Sequence, residues 1–152
     1  MSTDIVVTNR EARRDYDILQ SLEAGIQLKG CEIKSLRQHH ANLKGSFAHI
    51  DKNTQVILYN MHISPYEQAG AISTEPTRPR RLLLHKAEIK GLYDELIKKH
   101  LTLIPLKVYF KAGLAKIELG LAKGKKLYDK REDVKKREHQ RQIQRAVRRK
   151  AI

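Results

Sequence analysis

A chain of 152 residues with 40% hydrophobic content is a single domain plus extensions, and its one cysteine, Cys31, excludes an internal disulfide. The formal net charge of +14, from 31 Lys/Arg against 17 Asp/Glu, points to a polyanionic partner, either nucleic acid or an anionic membrane surface. No apolar run approaches transmembrane length, and Ile5-Val6-Val7 is far too short for the apolar region of a signal peptide, so the expected location is the cytoplasm.

Residues 1–8 read as a short flexible lead, and Asn9-Arg-Glu-Ala-Arg-Arg14 is polar and basic. From Asp15 to Leu28 apolar positions alternate with polar or small ones: Tyr16 with Ile18, then Ala24, Ile26 and Leu28. That pattern predicts one long or bent strand, with Gly25 marking a bend or bulge. After Gly30, the spacing of Ile33, Leu36 and His40 predicts a short helix over 31–40. A hairpin follows, Ser46–Ile50 and Gln55–Met61 around Asp51-Lys52-Asn53-Thr54. Val56 and Leu58 share one face and Ile57 and Tyr59 the other, the pattern of a strand buried on two sides. Residues 64–81 carry Pro65, Gly70, Pro76 and Pro79 and read as a long connection, a length usually reserved for mobile or functional loops.

The clearest helix spans 85–100. Ile89, Leu92, Tyr93, Leu96 and Ile97 make one apolar stripe, and Lys98, Lys99 and His100 suit the negative end of the helix dipole. Two strands close the body. Leu106, Val108 and Phe110 alternate with Lys107 and Tyr109; after Lys111-Ala112-Gly113, Ile117, Leu119 and Leu121 alternate with Lys116, Glu118 and Gly120. Five or six strands with one or two packed helices make the chain mainly β with peripheral helices, a small antiparallel barrel of which the OB-fold is one member.

The stretch 119–131 joins unlike materials. From Lys123 to Lys150 there are 13 Lys/Arg against 4 Asp/Glu, most of the chain's excess charge. This arm has helix-forming residues but no apolar stripe wide enough to dock on a core. Its expected state is disorder when free and helix on binding, because like charges repel until a polyanion neutralises them. Its apolar groups are Val134, Ile143, Ala146 and Val147, with no Trp or Phe to insert into lipid, so nucleic acid is the better partner and no membrane role is expected.

Candidate chemistry is sparse. Cys31, His39, His40 and His49 match no zinc-ligand spacing, and nothing identifies a base for Cys31 as a nucleophile; a buried thiol and surface histidines are the expected reading. Gly120-Leu-Ala-Lys-Gly-Lys-Lys126 is not a nucleotide-hydrolysing phosphate loop, since its glycines are too close and Lys126 stands where Ser or Thr must hold magnesium. Glu23, Glu32, Asp51, Glu67 and Asp94 are scattered, as solvated charges or local salt bridges are, and form no two-metal nuclease set. Neither metal, cofactor nor catalytic residue is expected. Arg78, Arg80, Arg81, His85, Lys86 and Lys90 form a second basic cluster. Tyr128 lies among Lys125, Lys126, Lys130 and Arg131, where an aromatic either stacks on an unpaired base or merely caps the last strand. From the residues alone, a basic OB-type protein for some structured RNA and an RNA-processing enzyme both remain open.

Several blocks together resemble one family: Asn9-Arg-Glu-Ala-Arg, Glu23-Ala-Gly, Gly30-Cys-Glu-Ile-Lys-Ser-Leu-Arg37, Ala41-Asn-Leu, Asn60-Met-His-Ile-Ser-Pro65, Arg80-Arg-Leu-Leu-Leu-His85, Leu114 through Lys126, and Asp129-Lys-Arg131. In their order they resemble the SmpB family, small bacterial proteins that partner transfer-messenger RNA (tmRNA) in trans-translation. The resemblance implies an OB-fold-like barrel over 9–127 that binds the tRNA-like part of tmRNA beside its elbow, as a monomer when bound. The RNA-contact positions it implies are Asn9, Glu23, Leu83, Lys123, Lys125 and Lys126. It implies that the tail 128–152 turns helical on the ribosome, with Tyr128, Asp129, Lys130 and Arg131 in the vacant decoding site and the rest in the empty mRNA channel. Some relatives carry His at the position of Tyr128, also a flat ring able to stack on a base. Past residue 135 the resemblance is compositional.

Overall fold

The computed structural model describes residues 3–66, 74–125 and 127–150; at 127–130, 132, 133 and 150 it describes the backbone alone. In chain order the elements are β1 (Asp4–Thr8), α1 (Ala12–Asp15), β2 (Tyr16–Ile26), α2 (Gly30–Arg37), β3 (Ala41–Asn42), β4 (Phe47–Ile50), β5 (Val56–Tyr59), β6 (His62–Ile63), β7 (Arg80–Leu83), α3 (Lys86–Lys98), β8 (Thr102–Lys111), β9 (Leu114–Gly124) and α4 (Leu127–Lys150).

Seven strands join one antiparallel sheet in the order β1-β8-β4-β5-β7-β2-β9, and β9 pairs back onto β8 to close a barrel of the OB-like kind. Strand β8 makes closure possible. One edge follows β9 from Thr102 to Lys111. The other edge is shared, with Leu103 opposite Ala48 of β4 and Lys107–Phe110 opposite β1. The flexible lead expected over 1–8 is corrected here: without Asp4–Thr8 the second half of that edge would expose unpaired backbone groups. Strands β3 and β6 pair separately, Ala41 with Ile63.

The period-2 pattern becomes an inside and an outside. Ala24, Ile26, Val56, Leu58, Ile117 and Leu119 point into the barrel and are buried. A smaller cluster of Ala12, Ile104, Leu106 and Ala122, with Tyr16 and Ile18 against it, lies beneath α1, so β8 is buried along much of both faces. That two-sided burial explains why both final strands run longer than their alternation alone predicts. Their loop is a two-residue turn with Ala112 at φ 52° and Gly113 at φ 76°, the doubly left-handed geometry that hairpins favour. The β4–β5 loop is closed by Asp51 Oδ1, which accepts from the N–H groups of Asn53 and Gln55, each at 2.9 Å.

The helices follow their sequence signals. Glu32 begins α2 as the third helical residue and accepts from the Lys29 N–H at 2.9 Å; Glu88 does the same for α3 with the His85 N–H at 3.1 Å. Leu92 is the buried centre of the α3 stripe, while Tyr93 and Ile97 at its margin are 50% and 54% exposed. The α4 backbone is one 24-residue helix that starts beside α1. All its described side chains are exposed, as the lack of an apolar stripe requires.

Two details depart from expectation. The β2 bulge falls between Ile18 and Gln20, not at Gly25. Gly25 instead allows close approach: a Cβ there would lie 3.2 Å from Leu83 Cβ across the β2–β7 pair. The connection expected over 64–81 is tied at both ends, since Ser35 Oγ donates to the Ser64 carbonyl at 2.7 Å and the Ile63 N–H to the Pro76 carbonyl at 3.0 Å. Residues 67–73 lie outside the described residues.

Candidate RNA-binding surface

The expected contact positions separate into two groups on the barrel. Glu23 and Leu83 form the first. Ala24 and Ile26 face the core, so Glu23 and Gly25 face outward, and Gly25 pairs with Leu83 of β7. Leu83 is 50% exposed, an apolar group held at the surface by its strand register. Beside it, Glu23 Oε2 accepts a hydrogen bond from the Tyr109 hydroxyl, and Lys111 Nζ lies 3.5 Å from the same oxygen. The Tyr109 hydrogen bond is the main reason the Glu23 carboxyl is held below the ordinary glutamate range; burial opposes it, and Lys111 and Lys116 add to it. Burial and the neighbouring Glu23 push the Tyr109 phenol well above its ordinary value, so it stays a donor. Next to Glu23 across the β2–β9 pair stands a like charge, Glu118, compensated by Lys107 Nζ at 3.5 Å.

The second group lies toward the far end of β9. Glu23 is opposite Glu118 and Asp17 is opposite Lys123, five residues further, roughly 17 Å along the strand. Lys123 is exposed. Lys125 is anchored: its side chain is 9% exposed, with Nζ 3.8 Å from Asp17 Oδ1 and 3.3 Å from the Arg13 carbonyl. Asn9 leads into α1 and holds the β8 bulge, its N–H donating to the Leu106 carbonyl at 2.7 Å and its Nδ2 to the Pro105 carbonyl at 2.9 Å. Near it, Tyr16, Phe47, Glu11 and Asp15 line a cleft. Lys126 lies outside the described residues. The backbone of Tyr128, Asp129, Lys130 and Arg131 belongs to α4; of the four side chains only Arg131's is described, and it is exposed.

The second basic cluster is not uniform. Arg81, His85, Lys86 and Lys90 are exposed. Arg80, at 1% exposure, is instead buried against Glu32, at 2%. Arg80 Nε donates to Glu32 Oε2 at 2.7 Å, Nη1 to the Met61 carbonyl at 2.6 Å and Nη2 to the Pro76 carbonyl at 2.9 Å; Arg78 Nε reaches both Glu32 oxygens at 3.2 Å. This three-residue lock joins α2, the 74–79 segment and β7. Composition lists its members as loose charges, and a signal was present only in Glu32's place three residues past Lys29. Cys31 is half-buried with Sγ 3.9 Å from Thr74 Oγ1, and His39 Nδ1 lies 3.2 Å from the Val6 carbonyl. Among the described residues no three His, Cys, Asp or Glu side chains come together as a metal site, and no helix is long and apolar enough to cross a membrane.

The chain can be set beside known proteins on this geometry. An SsrA-binding protein of Desulforudis audaxviator is 59% identical over 146 residues, covering 96% of this chain and 95% of its own. An SsrA-binding protein of Carboxydothermus hydrogenoformans is 57% identical over 144 residues, covering 95% and 96%. A solved structure described as "tmRNA-SmpB: a journey to the center of the bacterial ribosome" contains a chain of similar fold, with TM-score 0.66 and 48% identity, covering 80% of this chain and 85% of that one. The family model described as SmpB protein matches residues 6–149, and on that match and those identities the chain belongs to the SmpB family.

Proposed function

We propose that this chain binds the tRNA-like part of tmRNA with its barrel and works with it on stalled ribosomes in trans-translation. The observation that carries the reading is the pairing of an exposed leucine, Leu83, with a fixed, ionised carboxylate, Glu23, on a chain more than half identical to SsrA-binding proteins. A folded RNA is gripped by its surface more readily than through its deep major groove. Leu83 offers an apolar contact and Glu23 accepts from base or ribose donors. Asn9, Lys123, Lys125 and Lys126 extend the surface toward the arm, Lys123 as an exposed cation and Lys125 chiefly as the anchor of that end.

In this reading the arm is the ribosomal part. Tyr128, Asp129, Lys130 and Arg131 enter the vacant decoding site, and the basic helix beyond follows the empty mRNA channel. A polycationic helix with no docked face is marginal in water and gains its stability where phosphates neutralise it. Bound mRNA excludes it sterically, so translating ribosomes are spared. Peptide transfer belongs to the ribosome, and no side chain of this chain makes or breaks a bond.

The test is the RNA that accompanies the protein when it is captured from cells under controlled salt. Recovery of tmRNA, with direct binding of the purified tRNA-like domain, supports the reading. Enrichment of a different structured RNA, or metal-dependent cleavage of the bound RNA, overturns it.

A further inference from the structure

The Glu23 carboxylate is presented to solvent by a residue two strands away. Tyr109 lies on β8 and Glu23 on β2, with β9 between them: Tyr109 pairs with Lys116, and Lys116 with Gly25. At roughly 4.8 Å per strand, about 10 Å separates the two backbones. Of the aromatic side chains, a phenol provides both the reach and a terminal donor for that gap. Tyr109 is 6% exposed, whereas the Glu23 side chain is 37% exposed. A rigid, buried donor therefore meets a surface acceptor. The charged groups around the carboxylate are Lys111 on β8, Lys116 on β9 and the cross-strand neighbour Glu118. Lys107 sits over the Tyr109 ring, its Nζ 5.7 Å from the centroid.

The two oxygens of Glu23 are not equivalent. Tyr109 and Lys111 both address Oε2, and among the described residues Oε1 receives no hydrogen bond. We propose that Tyr109 is a positioning residue for RNA recognition: its buried hydroxyl clamps Oε2 so that Oε1 stands outward as an acceptor for a ribose hydroxyl or a base N–H. The inference rests on the reading above that Glu23 meets RNA. It also assigns the chemistry of that contact. An acceptor on a basic surface repels phosphate and selects a donor, so this spot contributes specificity while the lysines contribute charge.

The test is a double-mutant cycle on binding of the tRNA-like domain at fixed salt, with Glu23→Ala, Tyr109→Phe and the double variant. Loss of the orienting charge-assisted hydrogen bond is expected to weaken Tyr109→Phe by about tenfold. The double variant is expected to bind no more weakly than Glu23→Ala alone, because Tyr109 acts through Glu23. Replacing single 2′-hydroxyls by hydrogen, and separately single guanines by inosine, identifies the donor: the responsible change weakens the wild type but not Glu23→Ala. Two measurements separate positioning from packing. Thermal melting of Tyr109→Phe is expected to stay near wild type, and the carbon-13 titration midpoint of the Glu23 carboxyl is expected to rise toward the ordinary range. Should Tyr109→Phe fold poorly, the wild type still decides, since a hydroxyl clamp gives a deuterium isotope shift at the Glu23 carboxyl carbon and its absence overturns the proposal. Wild-type binding by Tyr109→Phe with weakened Glu23→Ala also overturns it, and leaves the Glu23 reading standing. Wild-type binding by Glu23→Ala removes that reading itself.

Discussion

Arg80 Nε donates to Glu32 Oε2 at 2.7 Å, and both side chains are almost wholly removed from solvent. The pair ties β7, one wall of the proposed RNA surface, to α2 outside the barrel. Burial pushes the Glu32 carboxyl up, but the hydrogen bonds from Arg78, the Lys29 N–H and Arg80 outweigh it, and the group is held below its ordinary value. The buried pair fixes the strand that carries Leu83, while Arg78, the third member of the lock, stays partly exposed.

Replacing Glu32 by Gln leaves the Arg80 charge buried without its partner. Breaking such a pair costs about 3–5 kcal/mol, which in a chain of this size lowers Tm by on the order of 10 °C. The pH dependence has a definite sign. A carboxyl whose folded pKa is depressed stabilises the fold above its unfolded value, near pH 4.3, and that stability is lost as pH falls through the folded pKa. Wild-type Tm is therefore expected to fall steeply with acid below about pH 4.3, and the variant's curve to be flatter there. Calorimetry across pH checks both; an unchanged Tm for the variant would show the lock to be dispensable.

Gly25→Ala places a methyl 3.2 Å from Leu83 Cβ. Cβ atoms move only with their backbones, so β2 and β7 must part or Leu83 must tilt. Overpacking of this kind costs about 1–3 kcal/mol. The expected outcome is a lowered Tm together with weaker binding of the tRNA-like domain, the binding loss approaching that of Leu83→Ala. Full affinity at a temperature where the variant is folded would show that Leu83's position is immaterial to RNA.

Asn9→Ala removes the Nδ2 hydrogen bond to the Pro105 carbonyl at the β8 bulge. At the bulge the Asn9 N–H, which alanine keeps, meets the Leu106 carbonyl, and the Asn9 side chain meets the Pro105 carbonyl, so alanine loses only the second of the two bonds. The expected loss is about 1 kcal/mol, or a few degrees in Tm. Asn9→Asp keeps an acceptor but removes the donor and is expected to melt at least as low as the alanine variant. Wild-type melting for both would mean that Asn9 serves RNA alone.

These variants also mark what the chain discloses before folding. β2, the β4–β5 hairpin, α2 and α3 were legible because each carries its own period and its own turn or capping residues. β1 was not: Ile5-Val6-Val7 has no partner until the free edge of β8 exists. Gly25 reads locally as a bulge, but its reason lies in Leu83, 58 positions on in sequence. Arg78, Arg80 and Glu32 read as surface charge because burial of a charge is decided by a partner, and theirs are 46 and 48 positions apart. Glu23 was placed on RNA by family likeness alone; Tyr109, which holds it, looked like an ordinary strand aromatic.

The two-part organisation is tested by ending the chain at Leu127. The barrel closes through β8–β9 pairing that finishes at Thr102–Ala122, and β2–β9 pairing finishes at Tyr16–Gly124, so the cut removes no strand. The described arm side chains are exposed, so little apolar burial is lost. Tm is expected to be nearly unchanged, and affinity for the tRNA-like domain to stay within about threefold at physiological salt, the residual loss reflecting removed cations. Tagging of peptides on stalled ribosomes is expected to vanish, because the segment assigned to the decoding site and mRNA channel is gone. Filter binding and a reconstituted tagging reaction measure the two activities on the same preparation. Parallel loss of both would mean that the arm belongs to the tmRNA surface, and full tagging by the shortened chain would remove the arm from the decoding site.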